Sequence, residues 1–170
     1  PLDIDPATSR VYSLIPGRIY VNVKGREPAG IVPPEEYDAV RDEVATTLLE
    51  LKAPNGDAVI EKVLKREAVY WPEGASAPNP QMPASEVLKT DTAFGRAADL
   101  IAVPYDGYDL KMGIGKPQVF LSTELEGMHT FHDALIFSRG VDLPEGRFAI
   151  HEVTKHVVEA LGVEAPEGMD

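Results

Sequence analysis

Apolar positions in the first hundred residues fall into short β-type runs and one long helical stripe. Arg10-Val-Tyr-Ser-Leu14 and Arg18-Ile-Tyr-Val-Asn-Val23 are rich in Val, Ile and Tyr and read as strands. Pro16-Gly17 between them is a turn signal, so the pair predicts a hairpin. Lys24-Gly-Arg-Glu-Pro-Ala-Gly30 follows as a charged, glycine-rich loop. Pro33-Pro34-Glu35-Glu36 then opens a helix, since proline fits a first turn and early acids suit the positive end of the dipole. Tyr37, Val40, Val44, Leu48 and Leu51 recur at helical spacing, and Pro54-Asn55-Gly56-Asp57 ends the element as a turn.

The pattern is less decided over Val59 to Tyr70. Apolar residues at 59, 60, 63, 64, 68 and 69 alternate with charge and fit either a strand pair or a helix, with the β-branched residues favouring strand. Trp71 to Ala84 contains prolines at 72, 78, 80 and 83 and reads as a surface loop or lid. A short helix is expected over Ser85 to Phe94, capped by Ser85. Ala98-Asp-Leu-Ile-Ala-Val-Pro104 is an uninterrupted apolar run suited to a central strand buried on both faces and stopped by proline. Gln118–Leu121 and Ala134–Ser138 are further strand candidates. Ile150, Val153, Thr154, Val157, Ala160 and Leu161 make an amphipathic closing helix with Gly162 at its end. Helices alternating with buried strands predict an α/β fold with a mixed, mostly parallel sheet flanked by helices.

Composition narrows the classes. The 170 residues carry 16 basic and 28 acidic side chains, a formal charge of −12, which disfavours nucleic-acid polymers and anionic membranes as partners. No stretch approaches the ~20 apolar residues of a membrane span. The absence of cysteine excludes disulfides, thiolate zinc ligands and thiol nucleophiles. No linker divides residues 1–170, so they read as a single domain or as the C-terminal portion of a larger one. Pro1 at the start favours the second, and nothing near it reads as an apolar signal region, which leaves a cytoplasmic setting expected.

Candidate chemistry clusters late in the chain. His129 and His132 lie in Gly127-Met-His-Thr-Phe-His-Asp133, where imidazole is a ligand for metals such as zinc and Asp133 is a possible second ligand or orienting partner. Solvated loop histidines are the alternative on residue types alone. If a strand begins at Ala134, His132 and Asp133 point to opposite sides. His151 and His156 are five apart on the closing helix, about 140° around its axis, and do not make a metal pair. Lys24 and Arg26, in a loop with glycines at 25 and 30 that let backbone approach a ligand, are of the kind that hold phosphate oxygens, or else form a solvated loop. Gly113-Ile-Gly115 lacks the third glycine of a dinucleotide fingerprint.

Three stretches together resemble the type I phosphodiesterase/nucleotide pyrophosphatase group of the alkaline phosphatase superfamily. Arg18 to Val32, followed by the Glu35–Leu51 helix, resembles the group's Y-x-N-x-x-G-R-E-x-x-G-x-V segment. Ala98 to Tyr108 is similar to its PDLIV strand and GY turn. Gly127 to Phe137, with Leu161 to Asp170, resembles its G-x-H loop and closing L-G-x-x-x-P-x-x-M-D-G signature. The resemblance spans nearly all of the chain but only the C-terminal part of that family. It implies part of an alkaline-phosphatase-like sandwich and a divalent-metal centre, commonly two zinc ions, that activates a Thr or Ser nucleophile on a small phosphate ester. His129 takes the position of the last metal-binding histidine. The nucleophile and the other ligands lie upstream in the family, and His151 stands where the closing helix usually begins with Asp. The resemblance therefore implies that residues 1–170 are inert without an N-terminal part of the same protein. A free-standing, non-catalytic binding module of the same fold is the alternative.

Overall fold

A computed structural model describes residues 5–89, 93–111, 118–121, 134–143, 145–150 and 152–164. Its contacts divide the chain into two compact units, one ending at residue 129 and one starting at residue 130.

The first unit is built on four strands. β1 (Val11–Ile15) turns through Pro16-Gly17 into β2 (Arg18–Val21), with Val11 opposite Val21 and Tyr12 opposite Tyr20. Gly17 is required at this turn. It holds φ at +70°, and a Cβ there would lie 2.8 Å from the Ala102 carbonyl oxygen. One 3₁₀ turn at Pro34–Glu36 leads into α1 (Tyr37–Leu49), and β3 (Ile60–Lys65) follows, ending in a second 3₁₀ turn at Arg66–Ala68. The ambiguous pattern after Val59 thus resolves as one strand. Short helices α2 (Ala84–Val87) and α3 (Ala93–Arg96) precede β4 (Leu100–Pro104). Pro83, rather than Ser85, stands at the N-cap of α2.

The sheet order is β1-β2-β4-β3, and each neighbouring pair is antiparallel. This corrects the expectation of a mostly parallel sheet in an alkaline-phosphatase-like sandwich. The apolar run at Leu100–Val103 misled because continuous burial also suits a central antiparallel strand. β4 has β2 on one side and β3 on the other, and its first four residues are all buried.

Two apolar clusters hold the unit. Val21, Val23, Val32, Tyr37, Val40 and Val87 form one, and Ala53, Val59, Ile60 and Ala102 form the other, with Leu48 and Leu51 of the α1 stripe against the second. Burial of this kind contributes roughly 25 cal/mol per Å² of apolar surface.

In the second unit, α4 (Glu152–Ala160) forms where the closing helix was expected. Its end is capped by Gly162 at φ +72°, with Gly162 N–H donating to Glu159 and Val163 N–H to Val158. None of its described residues is buried. The strands expected at 118–121 and 134–138 do not form. Leu135 and Phe137 are each 90% exposed, and among the described residues the run has no neighbour that would turn its apolar pattern into a strand.

Candidate functional site

The most organised polar group among the described residues surrounds Asp99, which immediately precedes β4 and has no solvent exposure. Its carboxylate accepts from the Val21 N–H at 2.7 Å, from Arg26 Nη1 and Nη2 at 2.8 and 2.6 Å, and from the Tyr37 hydroxyl at 2.5 Å. Arg66 Nη2 also donates to it. Burial by itself would raise the carboxyl pKa. The Arg26 hydrogen bonds and the charges of Arg66 and Arg26 outweigh it and hold Asp99 below the usual carboxylate range.

The loop from Asn22 to Val32 is folded onto this carboxylate. Its ends meet through pairing of Val23 with Val32. Gly30 sits so close to Val23 that a Cβ would lie 2.0 Å from the Val23 carbonyl oxygen, which only glycine permits. Arg26 also donates through Nε to Glu27 at 2.7 Å and through Nη2 to the Val21 carbonyl at 2.6 Å. Glu27 in turn accepts from Val23 N–H at 2.7 Å and from the Tyr12 hydroxyl at 3.2 Å. Burial and the neighbouring Glu27 charge push the Tyr12 hydroxyl up to about 12. Asn22 ties the same loop to the lead-in segment by donating to the carbonyls of Pro6, Ser9 and Ala29.

A second ion pair extends the network. Arg41, one turn into α1, donates to both oxygens of buried Glu67 at 2.7 and 2.9 Å and also pairs with Asp38. Its guanidinium lies 4.3 Å from the centre of the Tyr37 ring, and its Nε finds no partner. Arg66 reaches the carbonyl of Val87 at 3.1 Å and stacks over Phe94. Tyr37 is pushed above its ordinary pKa by burial and by the Asp99 charge.

This arrangement can hold a fold together. It does not present a reactive group, because each buried charge meets an opposite one and the carboxylates are occupied by hydrogen bonds. Arg26, expected as an anion-binding loop residue, spends four of its five N–H groups inside the network. Lys24 stands exposed on the same loop and pairs with no carboxylate among the described residues. His129, His132, Asp133 and His151 lie outside the described residues, as does Gly113-Ile-Gly115. His156 packs edge-on against Phe148, with Glu159 at 3.7 Å.

Among the described residues, no three His, Asp or Glu side chains converge as metal ligands. A shallow, largely apolar cavity of about 410 Å³ is lined by Pro72, Asn79, Met82, Pro83, Glu86, Lys89 and Phe94, with no hydroxyl, thiol or imidazole side chain. No described helix is long and apolar enough to cross a membrane.

Sequence reading missed Asp99, Arg41, Arg66 and Glu67. One signal was available: Arg41 sits one residue from Val40 on the apolar stripe of α1, where an unpaired charge would be costly. No family model, curated protein or solved structure matches this chain.

Proposed function

We propose that the chain is the C-terminal portion of a metal-dependent phosphohydrolase of the type I phosphodiesterase/nucleotide pyrophosphatase kind, acting on a small phosphate ester. One observation carries the reading. Asn22, Arg26, Glu27 and Gly30 belong to the first stretch that resembles that group, and Asp99 belongs to the second. The two stretches are far apart in sequence, yet Arg26 and Asp99 meet in one buried ionic knot. That contact between the two stretches is what supports the reading.

In this reading the antiparallel unit is scaffold, and chemistry is left to the third stretch. His129 would supply one ligand to a divalent metal, zinc in the reading favoured by a His and carboxylate set. The remaining ligands and the nucleophile would come from an N-terminal part of the same protein. Lys24 offers the substrate's anionic group an exposed cation. Arg26 acts behind it, keeping the loop closed on Asp99.

The test is zinc content and phosphodiester hydrolysis in the full-length protein and in His129→Ala. A loss of at least one zinc equivalent together with activity is expected. Unchanged metal and rate in the variant would remove His129 from the site, and no hydrolysis by the full-length protein would favour a non-catalytic module instead.

A further inference from the structure

The connection between β3 and β4 is anchored at both ends and loose in the middle. At its start Arg66 and Glu67 are fully buried, and at its end Val87 lies in the core with Val21, Tyr37 and Val40. Between them, every residue from Glu73 to Gln81 is exposed, and none belongs to a helix or strand. Only short local turns occur there, such as Ala75 N–H to the Pro72 carbonyl at 3.1 Å and Met82 N–H to Asn79 at 3.0 Å.

We propose that Glu73–Ala77 is a built-in processing site, opened by an endoprotease with a small S1 pocket, at which the chain can be cut while the four-stranded unit stays assembled. An exposed segment without regular hydrogen bonds can be drawn into the extended form that a protease binds. Small residues at 74, 75, 76 and 77 suit a narrow pocket, and Pro78 disfavours the bond after Ala77. Of the bonds that remain, Ala75–Ser76 has alanine, the usual elastase choice, before it and no proline within two residues after it. Water adds across it, the C–N bond breaks, and the products are a carboxylate on Ala75 and an ammonium on Ser76.

What keeps the halves together is already formed across the cut. β3 and β4 pair from Ile60 opposite Pro104 to Lys65 opposite Leu100, with one register shift between Ile60 and Lys62. Arg66 lies before the cut and binds Asp99 and the Val87 carbonyl after it. Arg26 and Tyr37 reach the same carboxylate from the first half. None of these contacts involves the strap.

The experiment is limited digestion of the full chain with elastase, with trypsin as control, because no Lys or Arg occurs from 67 to 88. Within residues 5–111, elastase is expected to cut first after Ala75, and the two pieces should co-elute on size exclusion and separate only in denaturant. Trypsin should leave the strap whole. First cleavage elsewhere in 5–111, or separation of the pieces in native buffer, would overturn the proposal. Two variants keep it testable. Ser76→Pro should block the cut without changing the melting temperature. A ten-residue Gly/Ser insertion between Ala75 and Ser76 should lower melting by less than about 3 °C, since lengthening an open loop is cheap. Collapse of the insertion variant would show that the strap is needed for assembly.

Discussion

Residues 5–111 and residues 134–164 both carry apolar patterns and put them to opposite use. In the first region α1 buries Tyr37, Val40 and even Arg41, because β2, β3 and β4 present a surface to receive them. In the second, α4 has the cleaner apolar stripe, yet Val157 is 51% and Leu161 75% exposed. An amphipathic pattern states which face a helix can bury; burial itself requires a partner surface, and propensity alone supplies little of the stability. The first region also contains full charges with no solvent contact, which only a tightly determined fold tolerates.

Substitutions sharpen this contrast. Asp99→Ala should have the largest effect, about 3–5 kcal/mol by chemical denaturation, since it strands buried Arg66 without a counter-charge and leaves Arg26 with Glu27 alone. A cost under 1 kcal/mol would mean that the knot is not closed in solution. The same carboxylate predicts the pH response. Its pKa is depressed in the folded chain, so its contribution is complete above the unfolded value of about 4 and fades as pH falls through the native one. Acid titration of stability should show a loss below about pH 4 that Asp99→Asn lacks. Leu100→Ala removes a fully buried side chain from the central strand and should cost about 2–5 kcal/mol. Tyr37→Phe deletes one hydrogen bond to a charged group, a loss of about 1.5–3 kcal/mol. Phe137→Ala comes last: despite its size it should change stability by no more than about 0.5 kcal/mol. A larger value would show that Phe137 is covered in solution and would erase the difference between the regions.

Local chemistry was readable where it acts over a few residues. The Pro16-Gly17 turn, the Pro-Glu start of the first helix, the proline stop at 104 and the Gly162 cap are each decided by neighbouring atoms. Strand direction was not, because it depends on which strand lies beside β4, and the apolar run at Leu100–Val103 is compatible with either neighbour arrangement. The expected strand at 134–138 failed for a related reason, as alternation without a pairing partner leaves Leu135 and Phe137 in solvent. The ionic knot was hidden because its members are spread from Arg26 to Asp99, and each one alone looks like an ordinary surface charge. Of the candidate site, the sequence singled out Arg26 and Lys24 but not their different fates. Arg26 is turned inward by a carboxylate 73 positions away, and Lys24 is left outside.

The hydrogen bonds converging on Asp99 also constrain how this sequence can change over time. Arg26, Tyr37, Arg66 and the Val21 N–H share a single acceptor, so replacing any one alters what the others are worth. Measured singly, each position looks intolerant; exchanged together for apolar residues of matching volume, the set is far less constrained. Drift at these sites is therefore expected to be epistatic, with the charged residues retained or lost as a group.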